Sequence, residues 1–137
     1  MNIYIPSGYS YVNFKSLKYE NDIDSIVGFI DLKIGVSSIR KAMVLFNVDS
    51  QFIKSLAEMY ASLIGEAYLE INPNYCDFIK LSINETGKVT VIVKISGDND
   101  FDKATSLNFK ILIDQTYLPS IIDNFSYLGL LSRKQND

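Results

Sequence analysis

A chain of 137 residues with 47% hydrophobic, 12% aromatic and 21% charged residues has the composition of a folded globular domain, long enough to bury a core without disulfide or metal staples. The balance of 16 acidic against 13 basic residues gives a net charge of -3, so the average surface repels phosphate backbones and nucleic acid is not an expected partner. With no histidine and one cysteine, the chain lacks the usual general base near neutral pH, the ordinary Ser-His and Cys-His nucleophile pairs, the commonest zinc ligand and any internal disulfide.

The N-terminal stretch MNIYIPSGYSYVNF has neither a basic leader nor a long apolar core, and no run approaches the ~18 apolar residues of a membrane span. A cytoplasmic protein without membrane contact is expected. Neither GxGxxG nor GxxxxGK[ST] occurs, so no nucleotide or other cofactor is expected. Residues 1–137 read as a single domain.

In chain order, Tyr11 to Tyr19 sets Tyr11, Asn13 and Lys15 opposite Val12 and Phe14, and reads as a strand. Ser25 to Gly35 alternates more strongly. Ile26, Gly28, Ile30, Leu32 and Ile34 lie on one side, with Val27, Phe29, Asp31 and Lys33 on the other. Lys41 to Val48 completes an N-terminal antiparallel group. Asp49-Ser50 then offers a helix cap, because a side-chain oxygen can accept an orphan N–H of the first turn. The helix predicted over residues 50–64 carries Phe52, Leu56, Met59 and Leu63 on one stripe, flanked by Ile53, Tyr60 and Ile64. That stripe reads as a core face. Gly65 is the expected stop, since glycine readily adopts the left-handed conformation that ends helices.

A meander follows. Residues 66–72 (EAYLEIN) turn Ala67, Leu69 and Ile71 inward; after an NPNY turn, Ile79, Leu81 and Ile83 do the same. The NETGK turn leads to Val89, Val91, Val93 and Ile95, and the polar stretch SGDNDFDKAT to Leu107, Phe109, Ile111 and Ile113. Pairing Leu69 with Ile79, Ile83 with Val89 and Ile95 with Leu107 keeps every inward residue facing an inward neighbour, as an antiparallel register requires. The last strand then runs through DQTYLP into a helix over about 117–130. Leu118, Ile121, Ile122, Phe125 and Leu128 form its stripe, Pro119 fits its first turn, and Asp114 or Thr116 can cap it. The expected fold class is α+β: an antiparallel meander, in one sheet or two, covered by two helices.

Two short pieces carry a likeness. The first helix ends in GEAYL (65–69), and the last strand passes into DQTYL (114–118) after a strand pair joined by a Gly turn. In this order and composition the chain, over roughly residues 25–130, resembles the WapI-type immunity family of small bacterial proteins. Those proteins neutralise the toxin domain of a polymorphic or contact-dependent secreted toxin. The resemblance implies a cognate toxin domain as protein partner. It transfers no catalytic residue, because the matching residues look structural, and it does not name the toxin.

Candidate sites follow the same economy. Asp98, Asp100 and Asp102 in GDNDFD suggest a calcium loop, but the twelfth residue counted from Asp98 is Phe109 rather than a bidentate acid, so a solvated hairpin is the better reading and no metal is expected. Cys76 has no neighbouring cation to lower its pKa and reads as a packing residue. Glu58, Glu66, Glu70 and Glu85 show no spacing that brings two carboxylates into one pocket. No enzymatic activity is therefore expected. More suggestive is the outward set Glu66, Tyr68 and Glu70, an aromatic side chain between two acids on one strand. Such a set suits a basic partner of the kind a nuclease toxin offers. Its competing explanation is cross-strand pairing with Lys80, which the register puts opposite Tyr68. Asp22 and Asp24, with Asp98 and Asp100, are the remaining candidate contacts. An immunity protein is the first functional expectation; a non-catalytic small-molecule-binding or structural module, or a subunit of a larger complex, is the second.

Overall fold

The computed structural model describes residues 1–36, 38–72, 75–96 and 106–136. The NPNY turn at Pro73 and Asn74 and the segment holding Asp98, Asp100 and Asp102 lie outside the described residues.

Among the described residues, eight strands form two four-stranded antiparallel sheets. The first holds β1 (Ile3–Ser7), β2 (Ser10–Glu20), β3 (Ser25–Ile34) and β4 (Ser38–Phe46) in that order. The second holds β5 (Glu66–Asn72), β6 (Asp77–Ile83), β7 (Lys88–Ser96) and β8 (Ser106–Asp114). Between the sheets in sequence comes α1 (Ser50–Ser62), and after them a 3-10 turn (Gln115–Tyr117) leads into α2 (Leu118–Asn136). The sheets turn their apolar faces toward a shared core, and their edges approach twice, β1 along β8 and β4 along β5. At the first seam the Ser7 hydroxyl donates to the Leu112 carbonyl at 2.6 Å.

The second sheet follows its hydrophobic parity closely. Leu69 faces Ile79, Ile83 faces Val89 and Ile95 faces Leu107, as the alternation requires. Ala67, Leu69, Ile71, Leu81, Val91, Phe109 and their row neighbours are buried. In the β6–β7 turn the Asn84 side chain accepts from the N–H groups of Thr86 and Lys88, both at 3.0 Å, and Gly87 supplies a φ of 82°.

The first sheet departs from simple alternation at one place. β2 bulges between Lys15 and Lys18, with Ser16 at φ 55°, and the extra residue lets Leu17 turn inward and become buried. Gly28 of β3 lies beneath that bulge; a Cβ there would meet the Lys15 carbonyl oxygen at 2.7 Å and Leu17 Cδ2 at 2.9 Å. The inward position expected at residue 28 is thus filled by Leu17 from the neighbouring strand. Ile34, also expected inward, is 45% exposed because the sheet ends there. Strand β1 was not expected at all: five residues holding a proline and only two buried positions, Ile3 and Ile5, carry little periodic signal.

The helices close the core with aromatic rings. Asp49 caps α1, its carboxylate accepting from the Phe52 N–H at 2.6 Å. The expected stop at Gly65 is corrected: Leu63 takes the left-handed conformation (φ 60°) and its N–H returns to the Met59 carbonyl, so the helix ends two residues earlier. Phe125 of α2 meets Phe14 edge-on at 5.7 Å and Phe52 at 5.1 Å between ring centroids, and Phe14 also contacts Phe46. Helix α2 continues past the expected end near residue 130 to Asn136, beyond its last fully buried apolar anchor at Leu128.

Asp114 holds the corner between β8 and the 3-10 turn. It accepts from the Thr116 N–H at 3.0 Å and from Lys88 Nζ at 3.2 Å, and these bonds hold its carboxyl below the usual aspartate range. A carboxyl with a folded pKa below its unfolded one adds stability that is complete above about pH 5 and is lost as pH falls through the unfolded and then the folded value. Urea denaturation from pH 6 down to pH 2.5 is expected to show Asp114→Asn losing less stability over the acid limb than the unaltered chain. Parallel acid limbs rule out this contribution.

Candidate functional site

The β4–β5 seam holds a polar concavity. β4 delivers Leu45 to its floor and runs out through Asn47 to Asp49, the α1 cap, while β5 comes alongside with Tyr68 and Glu70 turned outward. The cleft encloses about 390 Å³, and Ser25 at the start of β3 forms a further wall. Asp49, Glu70, Tyr68, Asn47 and Ser25 thus line one cleft where the two sheets meet.

Tyr68 is 48% exposed, with its ring against Phe78 at 5.1 Å between centroids. Partial burial, then the charge of Glu70 and that of Cys76, push its phenol above the ordinary tyrosine range. It therefore stays a neutral hydrogen-bond donor and acceptor throughout the physiological range. Its phenyl body packs against Phe78, a contact that lowers the entropy cost of using it as an anchor.

The structure separates the sequence-predicted residues. Tyr68 and Glu70 line the cleft. Glu66 does not; Lys80 lies opposite Tyr68 in register and reaches back to Glu66 at 3.2 Å, so this acid belongs to a cross-strand pair. Asp24 immediately precedes Ser25 of the cleft wall and accepts from the Tyr19 hydroxyl, and Asp22 sits exposed in the same β2–β3 turn. Asp98 and Asp100 lie outside the described residues. Cys76, expected to be a packing residue, is instead exposed at φ 57° in the turn before β6, where a side chain has little to pack against. Sequence reasoning missed Leu45, Asn47 and Ser25, and assigned Asp49 only to capping. Nothing in their local pattern announces that β5 will arrive beside them.

A second polar feature sits on the outer face of the first sheet. Asp31, read as an outward residue, is only 6% exposed. Lys15 covers it with an ion pair at 2.9 Å, and that hydrogen bond and charge hold the lysine above its usual pKa. Lys41, opposite Asp31 in register, lies instead over the Phe29 ring at 4.6 Å. The second Asp31 oxygen and the facing Asn13 side-chain amide oxygen are buried without hydrogen-bond partners among the described residues. Among the described residues, no three Cys, Asp or Glu side chains are grouped as a metal ion needs.

A family model described as the immunity protein WapI-like family matches residues 5–128. No curated protein and no solved structure matches the chain.

Proposed function

This chain belongs to the WapI-like immunity protein family, and from that membership we propose that it binds a cognate toxin domain and neutralises it by direct contact, in the cytoplasm and without turnover of its own. The toxin domain in this reading is basic, as a nuclease is, and it docks at the β4–β5 cleft. The observation that carries the site is the meeting of Asp49, Glu70 and a ring-supported Tyr68 at one seam. Carboxylates accept from lysine and arginine and steer a cationic surface, while a rigid tyrosine supplies contact area and a hydroxyl at low entropic cost.

Co-expression with the cognate toxin domain tests the reading, with rescue of growth as the expected result. Failure to rescue overturns it. The site is tested separately by association kinetics. Asp49→Asn keeps a capping side chain while removing charge, so Asp49→Asn with Glu70→Gln is expected to lower the association rate severalfold at low salt. That difference should shrink at physiological ionic strength, where exposed charges are screened beyond about 8 Å. Tyr68→Ala is expected to act on dissociation, with a loss of about 2 kcal/mol or roughly thirtyfold in affinity. If all three substitutions leave both rates unchanged, with circular dichroism showing an intact fold, the contact lies elsewhere.

A further inference from the structure

The acidic cleft is not isolated along the seam. A second cleft of about 270 Å³ lies further along β4, lined by Val27, Met43, Leu45, Asn72 and Tyr75. Leu45 belongs to both clefts, so they adjoin across one side chain. Their chemistry differs. Asp49 and Glu70 line the first, whereas the second is largely apolar, with Met43 65% exposed and Tyr75 49%.

The walls share a repeat. On one side the outward residues are Met43, Leu45 and, just past the end of β4, Asn47; on the other they are Tyr68, Glu70 and Asn72 of β5. Both series advance two residues at a time, the spacing at which an extended chain repeats its own side chains. Among the described residues β4 is hydrogen-bonded only to β3 and β5 only to β6, and no backbone hydrogen bond crosses the seam. Met43 to Asn47 is four residues, about 13 Å at ~3.3 Å per strand residue.

We propose that the two clefts act as one groove that takes an extended segment of the partner protein and reads two of its side chains, one basic and one apolar, four residues apart. Residues i and i+4 of an extended chain point to the same side, so both reach the groove together. The basic side chain meets Asp49 and Glu70; the apolar one enters between Val27, Met43 and Tyr75. Charge selects the first position, and removal of apolar surface from water selects the second. The acids disfavour a nucleic acid strand along the same path. The proposal rests on the immunity reading only for the identity of the protein that carries the segment.

Capped pentapeptides titrated into the isotope-labelled full chain test it by amide chemical shifts. The probes are Lys-Thr-Thr-Thr-Leu and its reverse, Leu-Thr-Thr-Thr-Lys, with Thr-Lys-Thr-Leu-Thr as the control for spacing. One of the two four-spaced orders is expected to give saturable shifts over residues 43–49 and 68–72. The control should bind about tenfold more weakly, since it fills only one end. Glu70→Lys should remove the preference for the lysine, and Met43→Ser the preference for the leucine, each with an unaltered melting curve. The proposal is overturned by absence of saturable shifts at millimolar peptide in both orders, or by equal binding of the control. Growth rescue on co-expression without peptide binding overturns the groove and leaves the immunity function standing. Peptide binding without rescue supports the groove and overturns that function.

Discussion

Phe125→Ala is expected to destabilise the protein by about 3–5 kcal/mol. Its ring is fully buried and bordered by two other elements, with Phe14 of β2 and Phe52 of α1 both meeting it edge-on. Those neighbours cannot all collapse into the space left by the ring. Phe14 is fixed by its strand and by a further contact with Phe46, and Phe52 by the capped first turn of α1. The truncation therefore loses the transfer free energy of the phenyl group, keeps much of the cavity, and removes two aromatic contacts worth about 0.5–1.5 kcal/mol each. Against a typical total of about 5–15 kcal/mol this is a large fraction. Equilibrium urea denaturation measures it, with Phe125→Leu expected to lose far less. A Phe125→Ala protein that unfolds at the same urea concentration as the unaltered chain shows that α2 is not docked on the core.

Gly28→Ala is expected to be the most damaging small substitution, at about 1–3 kcal/mol or more. The added methyl meets the Lys15 carbonyl oxygen at 2.7 Å, and that oxygen is backbone within a sheet and cannot swing aside. Leu17 Cδ2 at 2.9 Å must also move, although this side chain occupies the inward position that residue 28 leaves empty. Either β2 and β3 separate locally or the bulge is expelled and Leu17 turns out to solvent. Leu17→Ala should then lower the cost of Gly28→Ala, because it relieves the side-chain clash while leaving the backbone one. A double-mutant cycle by thermal or urea denaturation measures that coupling. Additive losses mean that Leu17 and residue 28 do not share the site.

The second sheet and both helices were legible because each carries a long, uninterrupted apolar period. Leu69 opposite Ile79 and Ile95 opposite Leu107 satisfy the parity of the pattern, since a one-residue slip would expose a whole apolar face. The α1 cap was legible too, because Asp49 acts on a turn three residues away. Strand β1, the bulge at Ser16-Leu17 and the early end of α1 at Leu63 were not legible. β1 is decided by its hairpin pairing with β2, Leu17 by the gap over Gly28, and the end of α1 by a left-handed turn at Leu63, a conformation that non-glycine residues adopt infrequently.

The candidate site divides in the same way. Tyr68 and Glu70 stood out in the sequence as outward residues on one strand, and Lys80 as their cross-strand neighbour, because side-chain direction along a strand is a local property. Their use was not visible. Only the tertiary structure committed Glu66 to Lys80 and set Glu70 beside Asp49, and only the approach of β5 to β4 brought Leu45, Asn47 and Ser25 to the same cleft. The sequence by itself thus determined which residues of the second sheet face solvent, through alternation. The folded chain decided which of them meet, because the β4–β5 seam joins strands separated by a helix and formed by no hydrogen-bonded ladder whose register a sequence pattern encodes.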